Sequence, residues 1–192
     1  MKLFFTFAFL LLTAVVFAQS ARPADSLLAR CTQLETTYTK TQDPASMASC
    51  EACFRGLIAD HPQEMRAYYG LVHLYMQSSN CESALDAVRK GVENNPEDFD
   101  LLWMKASFLN ALRRPVPEED YSLLTRLAKA DYEKGSVTRY NDLCALYGLD
   151  KGEKNGLLFI EAQRLTPEHT EAVKSYMLAS IAGRSPVIPC KQ

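Results

Sequence analysis

The chain has 192 residues, with 21 Lys and Arg against 23 Asp and Glu, for a formal net charge of −2. A balance so mild and so evenly spread excludes charge-driven binding to nucleic acid or to a polyacidic partner. The informative residues are the scarce ones: six cysteines, nine prolines and a single Trp.

The first segment stands apart from the rest. Lys2 is a minimal basic start, and Leu3 to Phe17 is an apolar run of about fifteen residues. Val16-Phe17-Ala18 fits a signal-peptidase site, so residues 1–18 are predicted to be a signal peptide cleaved before Gln19. A membrane anchor is the alternative. The run is short for a bilayer span, and polar residues follow it at once. No Cys follows the run, which argues against lipid attachment. Losing Lys2 leaves 20 basic against 23 acidic residues, a charge of −3. The mature part, about 174 residues, suits one domain with a continuous core. That domain is predicted over 19–183, with a tail at 184–192. The expected location is periplasmic or secreted, without stable membrane insertion after cleavage.

The first mature helix is poorly patterned, with Leu34, Thr37, Tyr38 and Thr41 on its inner positions. Asp43 and Pro44 read as the N-cap and first turn of the next helix. That helix carries the apolar stripe Met47, Cys50, Phe54 and Leu57. In Met65 to Met76, Tyr68, Leu71, Val72 and Tyr75 recur at helical spacing. Ser78-Ser79-Asn80 is a turn cluster, and Ser79 with Glu82 reads as a capping box. Ala84, Leu85, Val88 and Val92 mark the following helix. Asn94-Asn95-Pro96 ends it, since proline disfavours helix in the residue before it. A helix from Phe99 is interrupted by Pro115-Val116-Pro117, and the pattern resumes over Glu118 to Lys134. Glu118, Glu119 and Asp120 sit in a first turn, where negative charge is favoured, so a helix start explains them better than acid–base chemistry. Tyr140, Leu143, Cys144 and Tyr147 define the next helix, and Gly156 and Ile160 the one after. The last helix is predicted from Pro167 to Ala182. Val173, Tyr176, Met177 and Ile181 are expected inside, with Glu168, Glu171 and Lys174 facing water.

Pro62 and Pro96 are 34 residues apart, and the segment between them resembles one tetratricopeptide repeat. Counted from Met65, Tyr68, Leu71 and Tyr75 stand at positions 4, 7 and 11. Ala84, Val88, Gly91 and Pro96 stand at 20, 24, 27 and 32. Val72 at position 8 is larger than the pattern asks. One period back, Cys50, Phe54, Leu57 and Pro62 fill the second half of a unit. One period forward, Leu102, Ala106 and Leu109 suit positions 4, 8 and 11, with Trp103 at position 5. A fourth copy starts near Val137. The resemblance covers most of residues 26 to 183. It implies an all-α solenoid of about four stacked helix-turn-helix repeats, closed by the C-terminal helix as a cap with a polar outer face. An apolar stripe on both sides of each hairpin demands the same stacking.

The resemblance also implies a concave surface lined by the first helix of each pair. Its residues are Arg66, Tyr69, His73, Met76 and Gln77 on one unit. On the next they are Asp100, Trp103, Ser107, Asn110 and Ala111. Arg66, Tyr69, His73, Met76, Trp103 and Asn110 are the expected partner contacts, because aromatic and Arg side chains dominate binding hot spots. The alternative for Tyr69 and Trp103 is packing between helices.

All six cysteines, Cys31, Cys50, Cys53, Cys81, Cys144 and Cys190, lie in the mature part, and an even number in an exported chain predicts disulfides. The second helices of adjacent units should run side by side, which would let Cys81 reach Cys50 or Cys53. A Cys144–Cys190 bridge would staple the tail; the alternative is a small buried Cys144. Cys50-Glu51-Ala52-Cys53 is a CxxC. Haem attachment needs a His where Phe54 stands. Zinc needs two more ligands, and His61, His73 and His169 are scattered. A redox pair wants a helix N-terminus, whereas these cysteines lie a turn or more inside. No phosphate loop, HExxH or nucleophile elbow is present. The expectation is therefore a non-enzymatic scaffold without metal or cofactor, in the bacterial periplasm or outside the cell. It would hold a peptide or helix of another envelope or secreted protein, and nucleic acid is not expected as a partner. The alternatives are a thiol-redox factor using Cys50 and Cys53, and a self-associating structural subunit.

Overall fold

The computed structural model describes residues 23–183. Among these residues there are nine α-helices and no strand, so the all-α expectation holds for them. The helices are α1 (Pro23–Thr41), α2 (Pro44–Asp60), α3 (Met65–Gln77), α4 (Cys81–Asn94), α5 (Phe99–Ala111), α6 (Glu118–Tyr132), α7 (Thr138–Lys151), α8 (Glu153–Ala162) and α9 (Pro167–Ala182). The predicted signal peptide and the tail, with Cys190, lie outside the described residues.

Local chemistry sets the helix starts. The Asp43 carboxylate accepts from the Ser46 N–H at 2.9 Å, and Asp98 accepts from Leu101 at 2.8 Å. Each satisfies a backbone donor that the first turn leaves orphaned. The predicted Ser79–Glu82 capping box is not formed. Asn80 caps α4 instead, accepting from the Ser83 N–H at 3.1 Å, because Ser79 is spent on the preceding turn at φ 57°.

That turn recurs bond for bond. After α3, the N–H groups of Ser78, Ser79 and Asn80 donate to the carbonyls of Leu74, Met76 and Tyr75. After α5, those of Leu112, Arg113 and Arg114 donate to Phe108, Asn110 and Leu109, each partner 34 positions on. Arg113, at φ 56°, repeats the left-handed conformation of Ser79. The opposite ends repeat as well. His61 donates to Leu57 and Glu64 to His61; 34 positions later Asn95 donates to Gly91 and Asp98 to Asn95. Beyond α5 the interval changes, since Pro115-Val116-Pro117 delays the start of α6.

Every helix packs on its neighbours in sequence, and α1 also touches α3, α5 touches α7, and α7 touches α9. Tyr68, Leu71, Val72, Tyr75, Ala84, Val88 and Gly91 are all buried between these helices. Bare backbone makes two of the crossings possible. A Cβ at Gly70 would lie 2.3 Å from the Phe54 ring of α2. A Cβ at Gly156 of α8 would lie 2.9 Å from the Gly148 Cα of α7 and 2.5 Å from Met177 Sδ of α9. Lys105 of α5 donates to the buried Asp120 of α6 at 2.9 Å.

On α9, Val173 and Met177 are buried and Ile181 is half-buried, as expected, but Tyr176 is 46% exposed. The covered strip is narrow because α7 and α8 approach α9 from one side only.

Candidate functional site

The expected contact residues lie on the odd-numbered helices, and the structure ties most of them to a neighbouring odd-numbered helix. Arg66 stands at the start of α3, held between Glu64 (Nε to Oε1, 2.6 Å) and Asp25 of α1 (Nη2 to Oδ1, 2.7 Å). Its charge is thus already matched within the chain. His73, two turns further along α3, faces the Glu35 carboxylate of α1 through Nδ1. Thr39 of α1 donates to Gln77 at 3.1 Å. Met76 is half-buried against the core.

Tyr69 donates its hydroxyl to Asp98 Oδ1 at 2.8 Å, joining α3 to the cap of α5. Burial, then Asp98 itself, pushes the Tyr69 phenol well above its ordinary range. Trp103 donates its indole N–H to the Asp142 carbonyl of α7 at 3.2 Å. Its ring is half-buried and packs against the core, so interhelical packing, the alternative reading, is part of its role. Asn110 donates to Asp150 of α7 at 3.4 Å, and the Tyr121 hydroxyl donates to the other oxygen of the same carboxylate at 3.0 Å.

Sequence reasoning missed the acceptors: Asp25 and Glu35 of α1, Asp98 before α5, and Asp142 and Asp150 of α7. Helical periodicity could not find them, because each pairing depends on how one helix slides along another. Burial first, and Asp98 second, pushes the Asp100 carboxyl above its ordinary range. Burial first, and Asp100 second, does the same to Asp142.

A concavity of about 270 Å³ opens between α2 and α4 with α3 as its floor. Tyr68, Leu71 and Tyr75 form the floor, and Arg55 and Lys90 stand on its walls. The Tyr75 hydroxyl donates to Glu51 at 2.7 Å and accepts from Arg55 at 2.9 Å.

The cysteines depart from the expected pairing. Cys53 is bonded to Cys31, which stitches α2 to α1, so it is not the partner of Cys81. Cys50 is a buried free thiol whose Sγ lies 3.9 Å from the Cys31 carbonyl, so it is not paired with Cys81 either. Cys81 is disulfide-bonded. Cys144 is a buried free thiol, which removes the expected Cys144–Cys190 staple and favours the small-core-residue alternative. Burial, then Glu35, pushes the Cys50 thiol up to about 11. Burial pushes the Cys144 thiol up to about 12. The two cysteines of the CxxC are thus not bonded to one another, and Cys50 is a poor nucleophile at neutral pH.

Comparison with protein-family models, with curated proteins and with solved structures yields no match. Among the described residues there is no cluster of three or more His, Cys, Asp or Glu placed to hold a metal ion. Among them, no helix is long and apolar enough to cross a membrane.

Proposed function

We propose that this chain is a non-enzymatic interaction scaffold of tetratricopeptide-like helical units, closed by α9 as a cap. It would hold an extended or helical segment of another protein on the face of α1, α3, α5 and α7. The observation that carries this reading is the recurrence of both turns, bond for bond, at a 34-residue interval. A repeat of that length, built of paired helices, stacks into a solenoid whose first helices form one continuous surface. Tyr69 and Trp103 hold equivalent places on that surface, one unit apart, and each remains half-exposed. Rigid aromatics anchored by their own hydrogen bonds lose little entropy on binding, which suits a recognition surface.

An exported location fits the Cys31–Cys53 bond, since disulfides persist in oxidising compartments. The thiol-redox alternative loses support because Cys53 is committed to Cys31 while Cys50 is buried. The test is chemical cross-linking in an envelope extract followed by mass spectrometry, with wild type and a Tyr69→Ala/Trp103→Ala double variant as baits. A partner cross-linked to α3 or α5 in wild type, and lost in a double variant of unchanged helicity, is expected. Equal recovery by both baits would overturn the reading.

A further inference from the structure

Cys31 is bonded to Cys53, and Cys50 and Cys144 are buried free thiols. Cys81 is disulfide-bonded, and none of those four residues supplies its partner. The chain holds six cysteines, so the one left is Cys190, in the tail outside the described residues. Elimination thus pairs Cys81 with Cys190.

Contacts along one edge of the array put the two within reach. Cys81 opens α4, directly after its N-cap Asn80. Glu82 beside it is ion-paired at 2.6 Å with Arg114, just past the end of α5. Asn110, near the end of α5, donates at 3.4 Å to Asp150, near the end of α7. A Cβ added to Gly148 of α7 would stand 3.1 Å from Ile181 Cδ1, near the end of α9. The start of α4 and the ends of α5, α7 and α9 therefore share one rim. Cys190 is seven positions beyond Gly183, the C-cap of α9. That many extended residues reach about 23–25 Å. A disulfide adds about 5–6 Å between Cα atoms. The helices in contact from α9 through α7 and α5 to α4 span roughly 24–30 Å at ordinary interaxial spacing. The segment reaches only if it runs nearly straight, and Pro186 and Pro189 favour the extended backbone this needs.

We propose that Cys81–Cys190 is a reducible clasp that straps residues 184–189 along this rim, over the ends of α5 and α7. The clasp does not depend on the scaffold reading. Closed, it makes α4 to α9 one covalent ring and limits how far the stacked helices can spread. Open, it frees the tail from the rim. The position of Cys81 makes this bond the labile one. As the first residue of α4, its sulfur lies where the helix dipole and unbonded N–H groups stabilise a thiolate, so it is a good leaving group. Cys31 and Cys53 lie inside α1 and α2, away from either first turn, and Cys31 is fully buried. Opening needs a dithiol reductant. One of its thiolates attacks the Cys190 sulfur, the S–S bond breaks, and Cys81 leaves as a thiolate and takes up a proton. The second thiol of the reductant then displaces Cys190 from the mixed disulfide. Two electrons and two protons pass to the protein, and the dithiol ends as a disulfide.

The test starts from protein isolated out of an oxidising compartment without reductant, blocked with iodoacetamide and digested with trypsin. Mass spectrometry should find the peptide 67–89 joined to the peptide 185–191. A blocked Cys190, or Cys81 joined to Cys81 of a second copy, overturns the pairing. In Cys190→Ser, Cys81 should appear as one new free thiol with Cys31–Cys53 intact; a Cys81 still bonded in that variant overturns the pairing as well. The order of opening is then read with dithiothreitol on the native wild type, its helicity followed by circular dichroism. Samples are quenched in acid at intervals and labelled with N-ethylmaleimide in denaturant. Cys81 and Cys190 should become labelled at least about tenfold faster than Cys31 and Cys53, because the better leaving group departs faster. Equal rates, or Cys31–Cys53 opening first, would make the bond a plain staple and overturn the clasp.

Discussion

Gly156 and Gly148 mark the crossing of α8 over α7, and an added Cβ on Gly156 would stand 2.9 Å from the Gly148 Cα. The same Cβ would stand 2.5 Å from Met177 Sδ, so three helices meet where one methyl group has no room. Gly156→Ala is expected to destabilise the protein by roughly 1–3 kcal/mol through overpacking, despite alanine's better helix propensity. Gly56→Ala is the contrast. Gly56 lies inside α2 with nothing within 4 Å of its added Cβ, so a gain of about 0.5–1 kcal/mol is expected. Urea denaturation of both variants checks the pair. Two variants moving in the same direction would mean that α8 does not cross α7 as described.

Ala84 tests the register of the strong unit. It is fully buried on α4, at the place where the repeat pattern wants a small side chain. Ala84→Leu should cost about 1–3 kcal/mol. An unchanged melting temperature would refute the register and, with it, the assignment of Tyr69 and Trp103 to one face.

How legible all this was in the sequence depended on distance along the chain. Features set by a few neighbouring residues were readable. The Asp43 cap, the turn after Asn94 and the full extent of α9 follow from local chemistry. The α4 cap was misassigned by one residue because three capping residues occur in a row. The turn needs Ser79 for its left-handed step, and that leaves Asn80 as the cap. Tyr176 was misplaced because helical periodicity gives a stripe but not the width of its cover. The cross-helix pairs were out of reach, and so was the Cys31–Cys53 bond. Cys31 sits on α1, whose polar composition gave no inner face from which to pair it.

The cysteines predict both a labelling pattern and a pH effect. Without reductant, Cys50 and Cys144 should resist alkylation in the native protein and react in denaturant, while Cys31 and Cys53 stay unlabelled until reduced. Rapid labelling of native Cys50 would sink the burial argument. Both free thiols have raised pKa values in the fold, against about 8.5 in an unfolded chain. The folded state therefore keeps protons that the unfolded state releases, and stability should fall as pH rises from about 8.5 towards 11. Cys50→Ala with Cys144→Ala should flatten that decline. A wild-type curve as flat as the variant's would contradict it.

The aromatic pair carries the functional reading. Tyr69 and Trp103 each spend their polar group inside the fold, on Asp98 and on the Asp142 carbonyl, and leave part of the ring exposed. Two consequences can be separated by substitution. Tyr69→Phe keeps the ring and removes the bond to Asp98, so it should cost about 1 kcal/mol of stability and leave binding nearly intact. Tyr69→Ala removes the ring, and should weaken binding of the native partner by about 2 kcal/mol or more while the helices persist. Trp103→Ala should do the same, with an added stability loss because its ring also packs between α5 and α7. Arg89→Ala, on α4 and ion-paired with Asp86 at 3.5 Å, should change binding little. Calorimetric titration against the cross-linked partner, beside thermal melts of each variant, distinguishes the outcomes. If Tyr69→Phe weakens binding as much as Tyr69→Ala, the hydroxyl and not the ring is the contact, and Tyr69 is no hydrophobic anchor. If neither alanine variant weakens binding while folded, the partner uses another surface, and the cleft between α2 and α4 becomes the next place to substitute.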